Sequence, residues 1–368
     1  MRKKASVLGI GRLGLCFSLT LEKSGYDVVG LDIREDYVKQ VNEKTFETIE
    51  PGVEARLTNA TDFKATINLD EALSHSDMLF VTVRTESLPD GEYDHRQVES
   101  LLESLISYGK LNRNKDLVMC CNVNPGYSDE IQDRLKEYGY SVSFNPEWVA
   151  QGRVLYDQSY PDLVVIGECN HEAGDRIEQV YKDICLNSPI IHRMNRLSAE
   201  ITKVSLNCFL SSKIALANFI GDIARSNNLD PDVILNAISS DSRISSKFFS
   251  YGFGYGGPCF PRDISAIIHY SKKIGLKPHI YDAVMNSNAN HLHFQVEDYV
   301  KYNKDKEKEI VISVTYKEGV TLIDYSQQLL FAVELAKLDY NVVICDKKEV
   351  IENVKNEYGD NMFTFREI

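Results

Sequence analysis

The 368-residue chain is short of positive charge, with 41 Lys and Arg against 54 Asp and Glu and a formal net charge of -13. Phosphate surfaces would repel it, which argues against general nucleic-acid binding and electrostatic attachment to membranes. A locally basic pocket could still take an anionic ligand. Cysteine builds no framework here. The eight are scattered, and the adjacent pair Cys120-Cys121 lacks the spacing with which CxxC clasps a metal. No metal site and no disulfide scaffold are expected, and reduced thiols in a cytoplasmic setting fit best. No stretch reads as the run of about 18 apolar residues that spans a bilayer, and there are no repeats or low-complexity tracts. The basic start Met1-Arg2-Lys3-Lys4 looks like a secretory leader until Arg12 interrupts the apolar stretch behind it.

Apolar residues make up 43% of the chain and charged ones 26%, material for two or three globular domains. In the first half, apolar runs at 5–9, 27–31, 78–83, 117–123 and 163–166 alternate with amphipathic stretches such as 36–42 and 98–107. That order predicts an α/β fold with a parallel, Rossmann-type sheet. The pattern then changes. Residues 196–225 read as one long helix, followed by helical segments broken by a glycine-rich loop at 252–261. A polar stretch at 301–309 reads as a linker, and strand, helix and strand recur at 310–314, 326–338 and 341–345. The expected domains are a Rossmann unit at 1–190, an all-α unit built on the long helix at 191–304, and a small Rossmann-like α/β unit at 305–368.

Gly9-Ile10-Gly11-Arg12-Leu13-Gly14 lies between the first predicted strand and helix. Glycine permits a tight turn at Gly9, close approach of a pyrophosphate at Gly11 and close packing at Gly14, while the helix start offers free N–H groups. Asp32 ends the next strand, where a carboxylate accepts the ribose hydroxyls and repels a 2′-phosphate. NAD is therefore the expected cofactor; a Rossmann unit that has lost its ligand is the alternative.

Lys203 and Asn207 are four apart and share a helix face. A Lys alone on a helix is commonly a solvated side chain, but here an amide sits beside a cation that can steady a developing alkoxide. The loop running from Tyr251 to Gly257 has four glycines in six residues and leads to Pro258-Cys259-Phe260-Pro261-Arg262-Asp263. Prolines stiffen the thiol's position, and the nearby Arg262 favours the nucleophilic thiolate.

With Ile49-Glu50-Pro51-Gly52, Asn145-Pro146-Glu147-Trp148, Gly152, Glu200 to Asn207, Arg243-Ile244 and Gly254 to Asp263 in this order, the chain resembles the UDP-glucose/GDP-mannose dehydrogenase family over about residues 5–346. The resemblance implies a four-electron oxidation of a nucleotide-sugar C6 alcohol to a carboxylate with two NAD and one water. Lys203 and Asn207 would steady the alkoxide, and Cys259 would carry a thiohemiacetal and then a thioester. Glu147 would activate the hydrolytic water near Asp263. The resemblance further implies that Trp148, Phe248, Tyr251, Gly256 and Lys317 hold the nucleotide-sugar, and that Thr85 and Leu13 lie along the cofactor. Arg243 would reach a neighbouring subunit's ligand, making a homodimer.

The chain departs from the family at several places. Asn122 stands where a catalytic Thr is usual, Gln151 for a Glu near the nicotinamide, Glu86 for a Pro after Thr85, and Arg262 for a Lys. Seven residues after the Tyr316-Lys317 pair, Asp324 replaces a phosphate-binding Arg, and the segment from 305 is shorter than the family's third domain. These last changes raise a non-catalytic NAD or nucleotide-sugar binder as the alternative. A two-electron hydroxyacid dehydrogenase would leave the cysteine loop without a purpose.

Overall fold

The sequence KKASVL at Lys3–Leu8 buries its last four residues, and YDVVGL at Tyr26–Leu31 is buried almost throughout. Strands this apolar need cover on both faces, which is the setting of a parallel sheet. The computed structural model, which describes residues 2–368, contains that sheet. Its eight strands run in the order Ile190–Met194, Leu163–Gly167, Tyr140–Phe144, Lys115–Met119, Met78–Val81, Lys3–Leu8, Tyr26–Leu31, Phe63–Thr66. All neighbours pair in parallel except where Phe144 faces Gly167.

The expected strands are found to within a few residues, although the run at 117–123 ends as a strand at Met119, leaving Asn122 in the loop beyond it. Three strands of this sheet were not anticipated: Phe63–Thr66, Tyr140–Phe144 and Ile190–Met194. From Lys3–Leu8 the chain lays two strands to one side, then crosses to Met78–Val81 on the other. That reversal is the switch point where open α/β sheets bind ligands at their carboxyl ends. One core layer joins Val7 to Leu15, Phe17 and Leu19 of helix Arg12–Lys23. The other joins Leu8 to Leu102 and Leu105 of helix Arg96–Tyr108.

Compactness divides the chain at Lys203/Val204. The second unit contains helices Pro231–Ser239, Phe260–Lys273 and His279–Tyr302, then a parallel three-stranded sheet with Val342–Asp346 between Ile310–Ile312 and Thr364–Glu367. Leu329, Leu335, Val342 and Ile344 form its core, against which Phe253 packs. Helix Arg196–Ser226 runs through the division. It corrects the expectation that nothing is apolar enough to span a bilayer: by length and composition it qualifies, with an 18-residue window of mean hydropathy 1.3. Its buried positions nevertheless include Glu200, Lys203, Ser211 and Asn218. The side chains of Glu200, Lys203 and Asn218 bond to main-chain groups of other segments, as in a scaffold helix.

Candidate active site

Gly9 has φ +94°, and a Cβ there would lie 2.9 Å from Val83. At Gly14 it would lie 2.2 Å from the Gly9 carbonyl oxygen and 2.4 Å from Thr82 Oγ1. Gly11 is different: nothing lies within 4 Å of a Cβ built there, and it precedes helix Arg12–Lys23 without a side-chain cap. Two glycines thus close the turn, and the third leaves open space over uncapped N–H groups, a cradle that fits a pyrophosphate. Leu13 stands partly exposed on the first turn, and Thr85 is buried beyond the end of Met78–Val81. Asp32 is also buried and directly follows Tyr26–Leu31, where the ribose hydroxyls of a dinucleotide would meet it.

The Asp32 carboxylate is already engaged. Arg34 donates to it from Nε at 2.8 Å, from Nη2 at 2.9 Å and from its main-chain N at 3.1 Å. The guanidinium also lies 4.0 Å from the centre of the Tyr37 ring, and Tyr37 donates to the Ile10 carbonyl at 2.6 Å.

Also in the first unit, Lys203 is buried, donates to the main-chain oxygen of Glu147 at 2.7 Å and lies 4.5 Å from the centre of the Trp148 ring. Glu147 turns inward, lining a small cavity with Phe17, Gln158 and Tyr181. Burial pushes its carboxyl up to about 7, against the smaller opposing pull of the Gln158 side chain and the Lys203 charge. Asn122 and Gln151 are half-buried in loops. Two further carboxylates hold these loops. Glu50 accepts from Gly152 N at 3.0 Å and Val154 N at 2.8 Å, and Glu200 from Gly126 N at 2.6 Å and Ser128 N at 2.9 Å. Both stand in sequence motifs, but their partners lie 72 to 104 residues away, so no local pattern reveals this role.

In the second unit Cys259 is exposed at the N-terminal end of helix Phe260–Lys273, with Arg262 Nη2 4.0 Å from its sulfur. Asp263 is wholly buried; its carboxylate takes a hydrogen bond from Asn207 Nδ2 at 2.6 Å and lies 3.4 Å from Arg262 Nε. The thiol thus has a cation and the positive end of a helix beside it.

The glycine loop before it is fixed from several sides. Tyr251 fits over Gly221, where a Cβ would lie 1.9 Å from its ring, and donates to Asp222 at 3.1 Å. His291 bridges Asp222, 2.9 Å from Nδ1, and the Gly252 carbonyl, 2.7 Å from Nε2. A Cβ on Gly256 would lie 2.2 Å from the Tyr325 carbonyl oxygen. Asp222 and His291 carry no local sequence signal for this role, since His291 lies 69 residues from Asp222 and 39 from Gly252. Arg243 is exposed and ion-paired with Asp241 at 2.7 Å, and Phe248 is half-exposed. Lys317 lies in the loop after Ile310–Ile312, half-buried beside Tyr316. Asp324 offers its main-chain oxygen to Gly257 N at 2.9 Å, and lines a surface groove with Leu322, Ile323, Asn353, Asn356 and Glu357.

A dinucleotide cradle on a doubly wound sheet, followed by a helical unit presenting an exposed thiol, defines an NAD-linked oxidoreductase. The chain matches the UDP-glucose/GDP-mannose dehydrogenase family in its NAD binding domain over residues 3–185 and in its central domain over residues 197–290. It is 30% identical over 322 residues to UDP-glucose 6-dehydrogenase of Rickettsia bellii, covering 85% of this chain and 73% of that one. It is 25% identical over 364 residues to GDP-mannose 6-dehydrogenase of Pseudomonas aeruginosa, covering 94% and 81%. A UDP-glucose dehydrogenase structure from Pyrobaculum islandicum superposes with a TM-score of 0.89 at 27% identity, covering 100% of this chain and 87% of that one. The chain belongs to this family and is an NAD-dependent nucleotide-sugar 6-dehydrogenase.

Proposed function

We propose that the protein oxidises UDP-glucose to UDP-glucuronate through a covalent Cys259 intermediate. The observation that carries this reading is the exposed Cys259 thiol beside Arg262, with Asp263 on the same helix start held by Asn207 of the long helix. Gly9, Gly11, Gly14 and Asp32 would hold NAD, with Leu13, Thr85, Gln151 and Arg262 along it, and two successive NAD would supply the hydride acceptors for the two oxidations. Lys203 and Asn207 hold the C6 oxygen as its hydride leaves. Cys259 adds to the aldehyde, so the carbon stays bound while it loses a second hydride, and the thioester then yields to water. A carboxyl near neutrality suits proton transfer, so we assign Glu147 to the water, with Asp263 orienting it and Asn122 hydrogen-bonding beside the reacting centre.

The sugar nucleotide is assigned to Trp148, Arg243, Phe248, Tyr251, Gly256 and Lys317. UDP-glucose is chosen because relatives and a superposed structure carry that name. The joint presence of Glu147, Lys203, Asn207, Cys259 and Asp263 supports an active enzyme over a binder, although Asp324 stands where a phosphate-binding Arg is usual. A cytoplasmic setting agrees with eight free cysteines. A homodimer is supported by Phe209, Leu216, Phe219 and Ile223, which stand exposed along one face of the long helix.

The test supplies UDP-glucose, UDP-N-acetylhexosamines and GDP-mannose in turn and counts NADH per sugar consumed. Two NADH and a uronate from UDP-glucose are expected; two NADH from another sugar moves the assignment to that sugar, and one NADH overturns the four-electron mechanism. Cys259→Ser should bind NAD normally and make no uronate.

A further inference from the structure

The loop from Asp241 to Phe249 carries two residues assigned to the nucleotide-sugar, Arg243 and Phe248, and is exposed along most of its length. Its backbone is unfavourable. Ser245 has φ +67° and Phe248 φ +59°, left-handed conformations that side chains with a Cβ resist and an aromatic residue resists strongly. No strand partners the segment. Its internal main-chain hydrogen bonds run from Ile244 N to Asp241 O at 2.9 Å and from Phe249 N to Ser246 O at 3.1 Å, and the side chain of Asp241 takes bonds from Arg243 while Ser245 Oγ takes one from Lys247 N at 3.4 Å, all within a few residues. These contacts are all local, and none reaches the carbonyls around the two left-handed residues.

Lys213, on helix Arg196–Ser226, does so. Its ammonium donates to the main-chain oxygens of Ile244 at 3.1 Å, Ser245 at 3.2 Å and Lys247 at 2.6 Å. Three donors meet three acceptors, which is the full capacity of an ammonium. The bonded carbonyls belong to the residue before Ser245, to Ser245 itself and to the residue before Phe248, so the cation acts where the backbone is least comfortable. Phe249 then anchors the loop's end in a small core with Ala217 and Leu235. Ahead of it, Phe248 lies with its ring centre 6.2 Å from that of Phe260, the residue after Cys259.

We infer that Lys213 is a positioning residue that shapes the 244–248 loop so that Arg243 and Phe248 present to the nucleotide-sugar. The inference rests on the function proposed above. Lys213 would not touch the reacting atoms, so its loss should weaken sugar binding and leave the hydride and thiol chemistry alone. Arg cannot replace it fully, because a planar guanidinium directs its donors as a fork and the three carbonyls converge on a point.

The experiment compares wild type, Lys213→Met and Lys213→Arg by amide hydrogen exchange over 244–249 without ligand and by steady-state kinetics. In the Met variant, exchange in that segment should rise and KM for the nucleotide-sugar should increase about tenfold, the loss of one net charge-assisted interaction. Its kcat and NAD affinity should stay within about twofold, a change too small to represent a lost contact. The Arg variant should fall between. Unchanged exchange overturns the inference, and so does faster exchange with an unchanged KM for the sugar. A wild-type enzyme that oxidises none of the nucleotide-sugars overturns the substrate role together with the proposed function. The exchange data then separate that failure from a wrong account of how the loop is held.

Discussion

Asn207 Nδ2 lies 2.6 Å from Asp263 Oδ2, and the carboxylate it serves is wholly enclosed. A buried carboxylate that loses a donor bears its desolvation cost, about 1–3 kcal/mol, and a second negative charge raises that to roughly 3–5 kcal/mol. Asn207→Ser should therefore lower stability modestly and Asn207→Asp severely, measured as denaturation midpoints at neutral pH. Equal midpoints for wild type and Asn207→Asp would show that the contact contributes nothing.

Glu147 gives a pH-dependent prediction. Its carboxyl is raised from the ordinary 4.5 to about 7 by burial. Between those values the unfolded chain ionises the group while the folded chain keeps it neutral. The group's contribution to stability is therefore greatest below 4.5, declines as pH rises through the window and is lost above 7. Glu147→Gln stays neutral throughout. The difference in Tm, variant minus wild type, should grow between pH 5.5 and pH 8.5; a difference independent of pH would place the carboxyl in contact with solvent.

If Asp32 takes the cofactor's ribose hydroxyls as proposed, Arg34 competes with them. Its side chain occupies both oxygens of Asp32, the atoms that ribose hydroxyls need. The Arg34 side chain is 55% exposed, so the pair is worth about 0.2–1 kcal/mol. Displacing it costs that much of the NAD binding energy. Arg34→Ala should tighten NAD binding by about 1.4- to 5-fold, measured by titration calorimetry. Weaker binding in the variant would mean that Arg34 contacts the bound dinucleotide instead.

The parts of the molecule legible in its sequence are those governed by local rules. Gly9 and Gly14 announce a turn without room for a Cβ, and Asp32 stands where a strand must end. The missed strands had weaker patterns for physical reasons. Phe63–Thr66 and Ile190–Met194 are sheet edges and carry Lys64, His192 and Arg193, while Tyr140–Phe144 contains two serines. Ser143 is fully buried yet satisfied by Cys169 N at 3.1 Å, a long-range pairing that no local period reveals. Glu50, Glu200, Lys213 and His291 follow the same logic: each holds a distant main-chain group, so the residue is visible in the sequence and its partner is not. Asp324 shows the converse. Read as a side chain it conflicts with phosphate, whereas the fold presents its main-chain oxygen to Gly257.

The exposed face of the long helix makes the last prediction. Phe209, Leu216, Phe219 and Ile223 are each more than half exposed and recur at intervals of seven, three and four residues. In a two-fold dimer each substitution acts twice. Leu216→Asp with Phe219→Asp would remove four apolar side chains from the interface, at about 1.5 kcal/mol or more apiece. The dimer should weaken by roughly four orders of magnitude, so sedimentation velocity at micromolar concentration should show wild-type dimers and monomers of the double variant. Because Arg243 is assigned to the ligand of the neighbouring subunit, the monomer should also lose nucleotide-sugar oxidation while still binding NAD. A monomeric variant with full activity would place Arg243 on its own subunit's substrate or on none.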